Sequence, residues 1–142
     1  MQSVFVLCQN YPSEKDKYPM AFVHPRIKEY LKTGLDVKVI SFACNCPYIY
    51  DEVRVYTLQA GKELLQKSEK AILIAHAPNI KNHLSFILKI WKYLDRLILF
   101  FHGHEVLSTK KYYPRPYDFN KAAKREYRFL RLYDQIKLPV MR

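Results

Sequence analysis

Two short, almost uninterrupted apolar runs limit the folds open to this chain more than any other feature: Lys70–His76 (KAILIAH) and Arg96–Phe101 (RLILFF). Both fall far below the roughly 18 residues of a membrane-spanning helix. Neither alternates polar with apolar as a strand with one wet face does; strands covered on both faces of a parallel sheet have this composition. Ser3–Gln9 (SVFVLCQ) and Asp36–Phe42 (DVKVISF) read as two more strands, and Val53–Leu58 (VRVYTL) alternates as another. Helical spacing separates them. Phe22, Ile27, Tyr30 and Leu31 recur at that spacing before Gly34, with Pro25 near the first turn. Lys62–Ser68 predicts a short helix, and Leu84, Ile87, Leu88, Trp91 and Leu94 predict a strongly embedded one over Lys81–Leu94. Cys44–Asp51 reads as an irregular connection, Tyr112–Asp118 as a proline-rich loop and Asn120–Gln135 as a last helix. This alternation predicts an α/β fold: a Rossmann-like, doubly wound, mainly parallel sheet with helices on both faces, forming one domain over residues 3–142.

Composition narrows the chemistry. A chain of 142 residues that is 49% hydrophobic, with 3 glycines, has the material for a packed core. The short apolar stretch Val4–Cys8 lacks the basic flank of a signal peptide, so a cytoplasmic protein is expected. Cys8, Cys44 and Cys46 are an odd number without a secretory signal and read as reduced thiols; Cys44-x-Cys46 has neither redox nor zinc spacing. The net charge is +11, of which +7 falls on residues 110–142. Lys121, Lys124, Arg125, Arg128 and Arg131 give the last helix a basic face, suited to solvent or to an anionic membrane surface. Nucleic acid ranks third as a partner, because no helix-turn-helix, zinc-finger or RNP-like signature accompanies the charge.

In a doubly wound sheet, ligands sit outside the carboxyl ends of the strands. Three loops occupy such positions. The first, Asn10-Tyr11-Pro12-Ser13, contains no glycine, which excludes a dinucleotide fingerprint and a phosphate-cradling P-loop there. The second, His76-Ala77-Pro78-Asn79, would set an imidazole beside the third, His102-Gly103-His104-Glu105, where Gly103 permits a sharp turn and titratable groups converge. His102, His104, Glu105 and His76 are also possible metal ligands, but no helical His pair or Cys cluster supports a metal site and none is assigned. His24 and His83 read as surface or boundary residues without a role.

Asn10-Tyr11-Pro12-Ser13, Phe22-Val23-His24-Pro25-Arg26 and Tyr30–Val39 resemble the opening of GT-B glycosyltransferases of the family 4 type, and Lys70–His76 followed by Leu99–Glu105 is similar to that family's later strands, where an apolar strand ends in His-Gly. The likeness runs from residue 3 to about residue 118. It implies sugar transfer from a nucleotide-sugar donor to a saccharide or lipid-linked acceptor, in surface polysaccharide synthesis, with no further cofactor. Under it, His102 matches the strand-end histidine that faces the transferred sugar, and Gly103 its neighbour at the turn. Asn10, Tyr11, Arg26, His76, His104 and Glu105 would bind substrate. Two departures stand out: the Gly-Gly pair that many members carry after the first strand is missing, and so is the carboxy-terminal donor domain with its paired glutamates. The chain is therefore expected to be the acceptor-side half of a longer enzyme, peripheral on the inner membrane face and inactive alone. The competing expectation is a non-catalytic, flavodoxin-like binding domain with a basic surface.

Overall fold

The computed structural model describes residues 2–102. The chain divides into two compact units, Met1–Phe100 and Phe101–Arg142. Every described helix and strand belongs to the first, so the expected helix over 120–135, the loop over 112–118, Gly103, His104 and Glu105 lie outside the described residues.

β1 (Ser3–Cys8), β2 (Asp36–Ser41), β4 (Val53–Tyr56), β5 (Ala71–His76) and β6 (Leu94–Phe100) are the five expected strands. With β3 (Tyr48–Tyr50) they form one six-stranded sheet in the order β3-β4-β2-β1-β5-β6, parallel throughout except for the edge pair β3/β4. The fold is thus α/β around a single mixed, mostly parallel sheet. Chain order reverses between β1 and β5: β2 and β4 follow on one side of β1, β5 and β6 on the other.

β1 shows why both faces need cover. Val4, Val6 and Cys8 enter one core, with Val23 and Ile27 from around α1 (His24–Lys32); Phe5 and Leu7 enter the other, with Leu65 from α2 (Leu58–Lys67) and Phe86, Ile87 and Ile90 from α3 (Ser85–Ile90). Period-two alternation sends successive side chains to opposite faces, and burying each large one is worth about 1.5–3 kcal/mol. A helical layer therefore covers each side.

The local signals are visible in the details. Pro25 occupies the first turn of α1, and Gly34, at φ +81°, follows its end in the left-handed conformation that glycine adopts without steric cost. Thr57 caps α2 by accepting from the Ala60 amide at 3.2 Å, so that helix begins four residues before the expected Lys62, and the preceding strand stops at Tyr56.

Three expectations are corrected. The connection over Cys44–Asp51 is not wholly irregular: Tyr48–Tyr50 pairs antiparallel with β4 across the two-residue turn Asp51-Glu52. Both turn residues have positive φ, 44° and 69°, which suits such hairpins but ordinarily calls for Asn or Gly. Lys28 of α1 holds this turn, donating to the Asp51 carbonyl at 2.9 Å and to the Glu52 carboxylate at 2.6 Å. The segment Lys81–Leu94 is not one embedded helix but a π-helical turn (Ile80–Leu84), α3 and a 3-10 turn (Trp91–Tyr93), and Leu94 already belongs to β6. Its inner face buries His83, Phe86, Ile87 and Ile90, whereas Leu84, Leu88 and Trp91 are exposed. Phe22 precedes α1 and is exposed, so the apolar face of that helix rests on Ile27 with Tyr30 and Leu31 at its margin.

Gly61 of α2 lies directly over β2. A Cβ there would sit 2.5 Å from Ile40 Cγ1 and 2.7 Å from its Cδ1, and Ile40 is fully buried. Overpacking costs about 1–3 kcal/mol and outweighs the gain of roughly 1 kcal/mol in helix propensity. Gly61→Ala is therefore expected to lower the urea midpoint with an unchanged denaturant slope.

Candidate functional site

The glycine-free loop after β1 and the connection after β2 part at the carboxyl ends of these neighbouring strands and line an open, cleft-like cavity of about 590 Å³. Asn10, Tyr11, Ser13, Ser41, Asn45, Cys46 and Tyr48 are among its lining residues, and Glu14, Lys15 and Asp16 bring exposed charges. Closer to the order reversal, Asn82 Nδ2 donates to Gln9 Oε1 at 2.9 Å, tying the end of β1 to the π-helical turn after β5.

A hydrogen-bonded chain anchors the first loop. Tyr11 Oη lies 2.5 Å from His24 Nδ1, and His24 Nε2 lies 3.0 Å from Asp51 Oδ2. Hydrogen bonds from His24, then from Lys28, hold the Asp51 carboxyl below its usual range, so Asp51 is an acceptor. In the tautomer with its hydrogen on Nε2, the imidazole donates to Asp51 and accepts the Tyr11 hydroxyl hydrogen at Nδ1. Burial first, and then the like charges of Cys8, Tyr48, Tyr50 and Asp51, push the Tyr11 phenol well above its ordinary value; it remains a donor. The Tyr50 ring packs against the imidazole at a centroid distance of 4.9 Å. Tyr48 Oη reaches the main-chain oxygens of Tyr11 and Pro12 at 3.1 and 3.0 Å, and burial raises its phenol to about 12. One cluster thus pins the loop to α1 and to the β3/β4 hairpin.

Both phenols stay protonated, and their hydroxyls are committed to protein partners. The cavity therefore offers aromatic side chains, the amides of Asn10 and Asn45 and the hydroxyl of Ser13, rather than an activated nucleophile; the buried Ser41 hydroxyl is taken by the Gln9 carbonyl. Cys44 also lines it; its thiol donates to the Cys46 carbonyl at 3.2 Å and is raised chiefly by burial. Cys8 is fully buried, which pushes its thiol far up. Among the described residues, no group of three His, Cys, Asp or Glu side chains converges to hold a metal.

Of the expected site residues, Asn10 and Tyr11 line this cavity, while Arg26 and His76 are not among its lining residues and each contacts Phe100. The Arg26 guanidinium lies 4.6 Å from the Phe100 ring centroid, and His76 stacks on the same ring at 4.9 Å with planes 6° apart. His76 is 1% exposed, at the end of a central strand, in register with Phe100. His102 is exposed in the second unit. His24, to which the sequence assigned nothing, is the hub of the cluster, and His83, expected at the surface or at a boundary, is fully buried against Phe42. No local spacing pointed to His24, because its partners stand 13 residues before it and 27 after.

Comparison with protein-family models, with curated proteins and with solved structures identifies no match for this chain.

Because the folded value for Asp51 lies below that of a free carboxyl, its contribution to stability is complete above the unfolded value near pH 4 and is lost as the pH falls through the lower folded one. Asp51→Asn is expected to flatten that acid loss; urea midpoints from pH 6 down to 3 measure it. Exposure also sets an order of alkylation in the native protein: Cys46 reacts fastest with iodoacetamide, Cys44 more slowly, and Cys8 only on unfolding. Peptide mass mapping over a time course checks the order.

Proposed function

We propose that this chain is the acceptor-side half of a GT-B-like glycosyltransferase, binding the saccharide or lipid-linked acceptor of a nucleotide-sugar-dependent transfer. The observation that carries the proposal is the cavity at the carboxyl ends of β1 and β2, where amides, a hydroxyl and two tyrosines line the wall together with the exposed charges of Glu14, Lys15 and Asp16. Aromatic side chains beside uncharged hydrogen-bonding groups suit a hydroxyl-rich ligand. The absence of glycine from Asn10 to Asp16 argues against close backbone approach to a diphosphate, which favours the acceptor over the donor at this loop. The order reversal between β1 and β5 is the arrangement that a Rossmann-like reading of the sheet requires.

In this proposal Asn10 and Tyr11 contribute to the acceptor pocket. Arg26 and His76 act through Phe100 as positioning residues, and His102 faces the transferred sugar, with Gly103, His104 and Glu105 as its neighbours. The donor is held by a further domain, so transfer requires that domain, and the basic segment over 120–135 approaches an anionic membrane. One observation favours a binding module without catalysis: every residue lining the cavity lies in the unit Met1–Phe100.

Neutral oligosaccharides are expected to perturb the amide resonances of Asn10, Ser13 and Asn45 in the 142-residue chain. Asn10→Ala is expected to weaken that binding about fivefold, the value of one hydrogen bond near 1 kcal/mol. Binding of nucleoside diphosphates but not glycans at these residues would overturn the acceptor assignment. Sugar transfer unaffected by His102→Ala, in a protein that includes the donor domain, would remove the proposed role of that histidine.

A further inference from the structure

The segment Ile80–Tyr93 is apolar on two sides. Its inner side is accounted for by the core, through His83, Phe86, Ile87 and Ile90. Its outer side carries Leu84, Leu88 and Trp91, which are 42%, 68% and 60% exposed. These three residues come from the π-helical turn, α3 and the 3-10 turn in succession, and all three are exposed. Large apolar side chains exposed close together in the chain mark a candidate contact site.

Charge identifies what that contact is. Lys81, Lys89 and Lys92 are exposed on the same segment, and no Asp or Glu occurs from Lys70 through Leu94. Lysines flanking leucines and a tryptophan match the chemistry of a bilayer interface: indole and leucine enter the headgroup–acyl boundary, while ammonium groups meet lipid phosphates. Among the described residues no helix is long and apolar enough to cross a membrane, so the segment would lie in the interface plane. A protein partner would need its own acidic, apolar groove, whereas an anionic lipid surface supplies both properties together.

We propose that the outer face of Ile80–Tyr93 docks on an anionic phospholipid surface, with Leu84, Leu88 and Trp91 inserted and Lys81, Lys89 and Lys92 as its electrostatic collar. None of these residues lines the Asn10–Tyr48 cavity, and the proposal stands whether or not the transferase proposal holds. It orients the unit Met1–Phe100 on the membrane through the helical layer packed on Phe5 and Leu7.

Trp91 is the sole tryptophan of the chain, so its fluorescence reports on this face alone. The experiment uses the intact 142-residue protein with phosphatidylglycerol vesicles, phosphatidylcholine vesicles as control, and brominated lipids as quenchers. On the anionic vesicles, emission is expected to shift to the blue and to be quenched by bromine near the headgroup boundary, and the response weakens as salt rises. Replacing Lys81, Lys89 and Lys92 by Gln together is expected to weaken vesicle binding about a hundredfold. Leu88→Gln weakens it too, and since Leu88 is exposed its far-ultraviolet circular dichroism stays native. Vesicle sedimentation without a change in Trp91 emission would overturn the proposal and assign binding to another surface, such as residues 120–135. A blue shift that grows with protein concentration in the absence of lipid would overturn it in favour of a second copy of the chain. No sedimentation at low salt would overturn it outright.

Discussion

β1 is the strand on which the rest of the first unit is assembled. It pairs in parallel with β2 on one side and β5 on the other, so neither of its edges is open. Its five residues from Val4 to Cys8 are 3% exposed or less. A strand buried on both faces and both edges can exist only if neighbouring strands satisfy its amides and a helical layer covers each side chain set. The two cores, the α1 layer and the α2/α3 layer all follow from that requirement, and so does a site at the strand's carboxyl end, where the chain must leave the interior and become polar.

How that exit is stabilised links fold to site. The loop from Gln9 onward has no glycine to ease a tight turn, and its anchor is a side chain, Tyr11, buried beneath the cluster of His24, Tyr48, Tyr50 and Asp51. The same Asp51 belongs to a hairpin turn in a sparsely populated backbone conformation, held by Lys28. Loop, helix start and hairpin are therefore coupled: a change at the imidazole is felt at the cavity wall through Tyr11 and at the turn through Asp51. This network ties the cavity wall to α1 and to the hairpin, while the charged residues Glu14, Lys15 and Asp16 stay in solvent.

The outer helical layer has a different character. Gly61 lets α2 approach Ile40 closely, a contact dictated by shape. The segment after β5 instead passes from a π-helical turn through α3 to a 3-10 turn within fourteen residues. Within it Phe86, Ile87 and Ile90 lie on the core, and Leu84, Leu88 and Trp91 remain outside. The apolar surplus of this segment exceeds what one core face can absorb.

Hydrophobic periodicity was sufficient to locate the five parallel strands and to anticipate cover on both faces, because a strand's burial is written in its own consecutive side chains. Pro25 and Gly34 likewise marked the ends of α1 through local backbone restrictions. The three-residue strand β3 escaped notice since it lacks both length and a glycine turn; its pairing with β4 is what makes it a strand. Asn10 and Tyr11 were legible as cavity residues from their place after β1, but His24 was not, because nothing near it in the chain distinguishes a hub from a surface histidine. The embedded reading of Lys81–Leu94 failed for a related reason: apolar residues at helical spacing state that a helix has a greasy side, not how many sides the fold can cover. Local side-chain chemistry thus determined the elements and their polarity, while the tertiary structure alone decided which distant groups met and which apolar faces remained in water.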